Sequence, residues 1–515
     1  MSPKNLRSGI LRAVTAAVVL LALCGPPAAN AQPPKQKGIS YTSWWHGEYS
    51  KPDADLSLSH LRETGAEWIS LVVTQYQETL ASTTISATDN TATDADLIHA
   101  IETAHGLGLQ VMLKPHVDLS NDPTHWRGEI GQGFTAAQWD AWFSSYRAFL
   151  NHYALLAGTH GVEQFCVGTE LSGTEAHTSE WRAAIAGVRE VYDGPITYAS
   201  NWGDETGLAW WDAVDFIGVD AYYPLAEGAD PTLEELKAAW EPYVALLGDL
   251  AESWDKTILF TEIGYRSIDG TASHPWDWQT GGAIDLQEQA DAYQAVFESV
   301  FDQPWFAGIF WWDWGTDPFV GGACDDGYTP HDKPAEDVLR AGYGAPPRVP
   351  PVAPPPDYKT VLPVYTDGLE TGWEDGSWGG TIDLDAVSPV YRGTRSISAT
   401  LDSWGALALY HDAFDSSPYG WLEFAIREAD AGQRLRVAAS DEHGEELRAL
   451  PLCVEPGEWT RIRVRLSDLN AEARLIGGGA FINYGDEPAA FWVDEIRWVS
   501  AGWSLYLPVV LRMDE

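Results

Sequence analysis

Two hydrophobic periodicities alternate along the first two thirds of the chain. Short apolar, β-branched runs occur at "KGISYTS" (Lys37–Ser43), "AEWISLVV" (Ala66–Val73), "LQVMLKPHV" (Leu109–Val117) and "EQFCVGTEL" (Glu163–Leu171). They continue at "PITYASNW" (Pro195–Trp202), "VDFIGVDAYY" (Val214–Tyr223), "TILFTEIGY" (Thr257–Tyr265) and "FAGIFWWDW" (Phe306–Trp314). Such runs predict strands buried on both faces. Between most of them the apolar positions change to helical spacing, with starts at Thr93, Thr135, Thr178, Thr232 and Asp285. A Thr or Asp oxygen accepts from the free N–H groups of a first helical turn, and an acid soon after strengthens the start. "KPAEDVLRAGYG" adds a closing helix that ends on glycine. Eight strand–helix units in about 310 residues predict an α/β fold, a (β/α)8 TIM barrel. An open doubly wound sheet is the alternative, but no Gly-rich phosphate loop follows the first run.

The pattern changes at "APPRVPPVAPPPDY" (Ala345–Tyr358), a composition that forms stiff, extended spacers. Beyond it, short alternating segments such as "RSISATLD", "ALALYH", "WTRIRVRL" and "AFWVDEIRWV" are separated by Gly, Pro and Asp turns. They predict a smaller antiparallel β-sandwich. The expected division is a signal peptide at 1–31, the barrel at 32–344, a linker at 345–358, the sandwich at 359–500 and a strand or surface-directing tail at 501–515.

The amino terminus reads as an export signal. Lys4, Arg7 and Arg12 precede an apolar run, Ala13–Leu23, and Ala29-Asn30-Ala31 supplies the small-residue cleavage pattern. The run is too short for a comfortable span, and no later stretch is apolar enough for one. A secreted protein is expected, cell-surface association being open through the tail. Cys166, Cys324 and Cys453 survive cleavage, an odd number with no CxxC pair. A Cys166–Cys324 bridge is one pairing open to them, and buried free thiols are the expectation.

Charge narrows the partners. Asp plus Glu number 75 against 31 Lys plus Arg, a net charge of −44, which repels nucleic acid, anionic membranes and acidic polysaccharides. A neutral substrate is favoured, although solubility or salt tolerance explains the same numbers. The 26 tryptophans supply flat apolar faces of the kind that stack on sugar rings.

In a (β/α)8 barrel the site lies at the C-terminal ends of the strands. Those positions hold Trp44, Gln75, Lys114, His116, Asp118, Glu170, Asn201, Asp220, Tyr222, Glu262 and Trp312, a ring of carboxylates, amides and aromatics. Strand alternation would put Cys166, Gly168 and Glu170 on one side of their strand, and Ile258, Phe260 and Glu262 on one side of theirs. If both sets face the axis, the two glutamates meet over the barrel mouth. Two carboxyl groups flanking a bond are what glycoside hydrolysis requires, one protonated and one ionised. Asp118 and Asp220 read as structural partners, with Lys114 as one candidate to pair. Lys114 and His116 are expected to contact sugar hydroxyls. Tyr222 either bonds a carboxylate or packs, and Trp44 is either a sugar platform or a rim aromatic.

"KGISYTSW", "MLKPHVD", "VGTEL" and "FTEIGY", in this order on these strands, resemble the glycoside hydrolase family 113 β-mannanases of the retaining clan A. The resemblance covers about Lys37 to Thr316. It implies an endo-acting β-1,4-mannanase, with Glu170 as general acid/base and Glu262 as nucleophile. Carboxyl groups about 5–5.5 Å apart are then expected. It also implies Trp312 as the aromatic floor under the reacting sugar. The clan's usual Asn before the acid/base is Thr169 here, and Asn201 is the substitute amide. A retaining enzyme acting on glucan or xylan, and a non-catalytic polysaccharide-binding protein, are the rival readings. The chemistry requires no cofactor and no metal, and a monomer acting on neutral β-mannan is expected. The C-terminal part resembles jelly-roll carbohydrate-binding modules. That likeness implies a structural Ca2+, with Glu370 and Asp494 as oxygen donors, and exposure of Trp373, Trp378 or Trp404 would favour a binding role.

Overall fold

The computed structural model describes residues 34–348, 360–429, 433–454 and 456–500. The expected signal peptide, the tail and most of the Pro-rich stretch lie outside the described residues. Eight parallel strands close into a barrel in chain order. They are β1 (Gln36–Thr42), β2 (Trp68–Gln77), β3 (Gln110–Leu119), β4 (Gln164–Thr169), β5 (Ile196–Asn201), β6 (Phe216–Asp220), β7 (Ile258–Ile263) and β8 (Phe306–Gly315). The helices around them are α1 (Pro52–Glu63), α2 (Asp94–Gly106), α3 (Ala136–Thr159), α4 (Thr178–Arg189), α5 (Leu233–Trp254), α6 (Leu286–Ser299) and α7 (Pro334–Tyr343).

Thr93, Thr135 and Thr232 accept from the N3 amides of α2, α3 and α5 in capping boxes, and Asp285 caps α6. Thr178 differs, because His177 occupies the cap position and Thr178 is already helical. One strand–helix unit also departs from the pattern. The β5–β6 connection contains a single 3-10 turn, Trp211–Ala213, and no α-helix. Two fully buried indoles fill the space instead, Trp210 stacking on Trp181 of α4 with ring centroids 4.9 Å apart. Their Nε1 groups donate to the carbonyls of Glu175 and Glu205, so neither polar edge is orphaned.

The barrel has two apolar layers. Most of its core lies between strands and helices, while Met112, Cys166, Ala199, Leu259 and Phe310 form a small cluster inside the barrel. This layering corrects the simple alternation expected of β4 and β7. Ile258 and Phe260 pack in the outer layer, Phe260 against Trp240 of α5, while Leu259 faces inward. A Cβ on Gly168 would meet the Tyr146 hydroxyl at 2.6 Å and Trp181 at 2.9 Å, so Gly168 faces the helices although Cys166 faces the axis. Register shifts lie between Cys166 and Thr169 and between Phe260 and Ile263. Such shifts at strand ends re-aim side chains, and here they precede each of the two glutamates or contain it.

The C-terminal strands are β9 (Val361–Tyr365), β10 (Trp373–Asp375), β11 (Trp378–Ala386), β12 (Ser396–Asp415), β13 (Trp421–Glu428), β14 (Leu435–Asp441), β15 (Glu446–Pro451), β16 (Thr460–Arg465), β17 (Leu475–Asn483) and β18 (Ala489–Val499). "RSISATLD" and "ALALYH" belong to one 20-residue strand, β12, rather than two. Its first part pairs with β18 and its second with β17, so one strand serves both layers around a core that includes Leu407, Phe424, Phe481 and Trp498.

The expectation of buried free thiols holds for Cys166 and is overturned for Cys324 and Cys453. Cys324, in the β8–α7 loop, is bonded to Cys453 after β15, and among the described residues only Cys166 is free, and it is buried. The pairing was hidden because it joins the barrel to the sandwich across 129 residues. Asp326 adds an ion pair with Arg434, and Arg448 pairs with Asp53 while its guanidinium lies over the Phe319 ring. No helix among the described residues is long and apolar enough to cross a membrane. Thiol labelling of the denatured chain lacking residues 1–31 should mark Cys166 alone without reductant, and Cys166, Cys324 and Cys453 after reduction.

Candidate active site

Glu262 lies at the end of β7 and is 5 % exposed. Its Oε1 accepts from the Lys114 ammonium of β3 at 2.5 Å, and its Oε2 from the Tyr222 hydroxyl at 3.0 Å. The same ammonium donates to Asp220 Oδ1 of β6 at 3.1 Å, and Thr261 Oγ1 also donates to Asp220. Three strands thus converge on one buried cation. Burial alone would lower the Lys114 pKa, but the Asp220 and Glu262 carboxylates outweigh it and push it above its ordinary value. Lys114 was expected at the mouth beside a sugar. It is instead fully buried beneath it, its donors directed to protein groups.

His116 is corrected in the same way, being 2 % exposed. Arg127 Nη1 donates to His116 Nδ1 at 3.0 Å. A guanidinium only donates, so Nδ1 is the bare nitrogen and Nε2 carries the proton. Burial, then the charges of Arg127 and Lys114, drive the His116 pKa well below the usual value, and the ring is neutral. Its Nε2 lies 3.7 Å from Glu262 Oε1 with no hydrogen-bond partner. Tyr222 is likewise turned to the carboxylate rather than to open space.

Glu170 follows β4 directly, with its backbone in the left-handed region at φ 52° and its amide bonded to Ala199 O. Non-glycine residues pay strain there, and such strain concentrates at functional sites. Burial pushes the Glu170 pKa up to about 7; Arg127 restrains the rise and Glu262 adds to it. Arg127 Nη1 is 3.9 Å from Glu170 Oε2, and Nη2 donates to Asp118 Oδ2 at 3.0 Å. Arg127 sits in a short 3-10 turn after β3 and escaped the sequence reading. No periodicity marks "HWRGE". The available signal was chemical: a chain with so few cations that needs one beside a buried carboxylate.

Of the β8 tryptophans, Trp311 and Trp314 are buried, Trp311 stacked on Tyr293 and Trp314 bonded to Ser57. Trp312 is half-buried, stacked on His116 with 13° between the planes and edge-on to Trp44, which is 37 % exposed. Asn201 ends β5 in register with Asp220, and its amide donates to the Trp202 carbonyl at 3.2 Å. Thr169 Oγ1 is buried without a partner and supplies no amide-like contact.

In the sandwich, the two carboxylates expected as calcium donors are engaged by protein groups. Asp494 Oδ2 accepts from the amides of Tyr391 and Arg392 and Oδ1 from that of Glu495, while Glu370 Oε1 accepts from Thr366. Asp494 anchors a turn through three backbone amides, and it forms no group with Glu370 and a third His, Cys, Asp or Glu side chain among the described residues. Trp373 is buried, whereas Trp378 and Trp404 are exposed.

A closed parallel barrel with two strand-end glutamates, one hydrogen-bonded by an ammonium and a phenol and the other holding its proton to about 7, is the apparatus of a (β/α)8 glycoside hydrolase. The chain belongs to Glycoside Hydrolase Family 113, whose profile matches residues 40–333. Residues 364–501 match the Expansin-like protein C-terminal domain. Among solved structures, a GH113 β-1,4-mannanase complex is 31 % identical over 61 % of this chain and 100 % of its own, with TM-score 0.56. The GH113 β-mannanase AaManA from Alicyclobacillus acidocaldarius, in complex with ManMIm, is 34 % identical over 61 % of this chain and 98 % of its own, with TM-score 0.55. No curated protein matches the chain.

The raised pKa of Glu170 carries a stability consequence. Below about pH 4.5 the group is protonated folded or unfolded and contributes nothing; as pH rises toward 7 the unfolded chain ionises first, which favours unfolding. Glu170→Gln removes that cost. The variant should melt on the order of 3 °C above wild type at pH 8 and level with it at pH 4, as read by thermal denaturation.

Proposed function

We propose that this chain is an exported, retaining endo-β-1,4-mannanase. The observation that carries the reading is the unequal provision for two glutamates, Glu262 hydrogen-bonded to Lys114 and Tyr222, and Glu170 protonated up to about pH 7. Glu262 attacks the anomeric carbon while Glu170 donates its proton to the departing oxygen. A water then enters, Glu170 takes its proton, and the hydroxide displaces Glu262 with net retention of configuration. Lys114 and Tyr222 position the nucleophile and receive the carboxylate back after the second displacement. Trp312 and Trp44 offer apolar faces to the sugar on one side of Glu262, and Asn201 supplies an amide from β5.

Mannan as substrate is supported by 31–34 % identity to GH113 β-mannanases along nearly the whole of their length. Glucan and xylan remain alternatives from the same chemistry. Export is supported by the Cys324–Cys453 bridge, since structural disulfides persist in oxidising compartments.

The purified chain should release reducing sugar from galactomannan faster than from carboxymethylcellulose or xylan, and proton NMR of early product should show the β-anomer first. Glu170→Gln and Glu262→Gln should each lower kcat at least about a thousandfold. The kcat/KM profile should fall as pH rises through about 7, where Glu170 loses its proton. Preferred cleavage of another glycan would reassign the substrate, and full activity in either variant would overturn the mechanism.

A further inference from the structure

The β8–α7 loop has two sides, and the proposed function uses neither. On one side it is tied to the sandwich. Cys324 is bonded to Cys453, Asp326 Oδ2 accepts from Arg434 Nη2 at 3.1 Å, and Phe319 packs against the sandwich core. On the other side it is tied to the segment that follows β7, four and five residues beyond Glu262. Asp326 Oδ2 also accepts from Arg266 Nη2 at 3.2 Å, and the Asp326 carbonyl accepts from Arg266 Nε. Ser267 Oγ donates to the Asp325 carbonyl, and the buried Lys333 ammonium donates to both Asp325 Oδ1 and Ser267 Oγ.

The loop then delivers Tyr328 to the site. The Tyr328 ring lies edge-on to Tyr222, centroids 6.4 Å apart, and its hydroxyl is anchored on the Pro275 carbonyl at 2.7 Å. A Cβ on Gly264 would stand 3.0 Å from the Tyr328 ring and 2.3 Å from the Trp312 carbonyl, so the end of β7 is closed between the loop and β8. Tyr222 in turn donates to Glu262 Oε2. The 324–328 backbone therefore carries the links from Cys453 and Arg434 to Tyr328, and side-chain contacts carry them on through Tyr222 to the Glu262 carboxylate.

We infer that the C-terminal sandwich is a positioning element of the active site: bonded and ion-paired to the β8–α7 loop, it holds Tyr328 against Tyr222 and so fixes the attack geometry of Glu262. The inference rests on Glu262 being the nucleophile. Misplacement of a reacting group by about 1 Å costs up to about a hundredfold in rate, so a buttress remote from the chemistry has leverage. It assigns the sandwich a role separate from sugar binding and from stability.

The test uses the full chain carrying Cys324→Ser with Cys453→Ser, and separately Tyr328→Ala, each assayed well below its own Tm on β-1,4-mannohexaose. Both should lose about tenfold in kcat with KM within about twofold, and Tyr328→Phe, which keeps the ring contact, should recover most of the loss. A sandwich that only stabilises would lower Tm and leave kcat intact. One that only captures polysaccharide would leave mannohexaose turnover intact and raise KM on galactomannan. Either result overturns the inference. If the double serine variant does not fold, Arg434→Gln on an exposed side chain replaces it, and an unchanged kcat there overturns the inference too. Amide hydrogen exchange separates this outcome from a wrong substrate. Removing the bridge should speed exchange at 262–267 and 220–223 as well as at 316–333, whatever glycan is cleaved. Acceleration confined to 446–454 would refute the coupling.

Discussion

A buried ammonium at the centre of the barrel sets the terms for the rest of the site. Lys114 is fully buried, and a cation removed from water is tolerated only when carboxylates come to it with good geometry. Asp220 and Glu262 do so from β6 and β7, while Lys114 comes from β3. β6 and β7 are neighbours in the sheet, but β3 pairs with neither and faces them only because the barrel closes. Closure buries the charge, and the charge in turn penalises any arrangement that moves one of the three strands. The register shifts at the ends of β6 and β7 fit this requirement, because strict alternation would not bring both carboxylates to the same ammonium.

Two chemically identical side chains differ through where the cations stand. The ammonium is 2.5 Å from Glu262, within direct hydrogen-bonding distance. The Arg127 guanidinium is 3.9 Å from Glu170 and donates its short bonds to His116 and Asp118 instead. Burial therefore dominates at Glu170 and its proton is retained to about pH 7. Arg127 also sets the tautomer of His116, whose remaining N–H faces Glu262. One loop residue thus touches the surroundings of both carboxylates.

What could be read from the chain follows from the range of each interaction. The strands were legible because a parallel strand buried on both faces writes its burial into consecutive residues, and the barrel rule then singled out their ends, Glu170 and Glu262 among them. The inward set of each strand was not legible, since one extra residue in β4 or β7 inverts alternation without leaving a compositional trace. Lys114 and His116 were found by position but placed too close to solvent, because strand-end location does not say how deep a side chain lies. Arg127, Tyr328 and the Cys324–Cys453 bridge all involve loops, whose partners are chosen by tertiary approach alone. The missing β5–β6 helix belongs to the same category: Trp210 and Trp211 take its place by packing together and, through Trp210, on Trp181 of α4, a contact that no local pattern announces.

The charge of the chain acquires a different meaning once its buried cations are located. With 75 acids against 31 bases, most surface carboxylates have no cation to meet. Yet Lys114, Arg127, Arg266 and Lys333 all gather at the C-terminal end of the barrel, and Lys114, Arg266 and Lys333 join segments distant in sequence. Lys114 links three strands, Arg127 the β3–α3 loop to β3, and Arg266 and Lys333 the end of β7 to the β8–α7 loop. Repulsion among exposed acids acts through water and is screened over about 8–10 Å at ordinary salt, whereas these enclosed pairs are screened far less. Added salt therefore relieves the surface without loosening the site. The excess of acid and the precision of the mouth are compatible because they operate in different dielectric surroundings, and these four cations stand where position matters to the carboxylates.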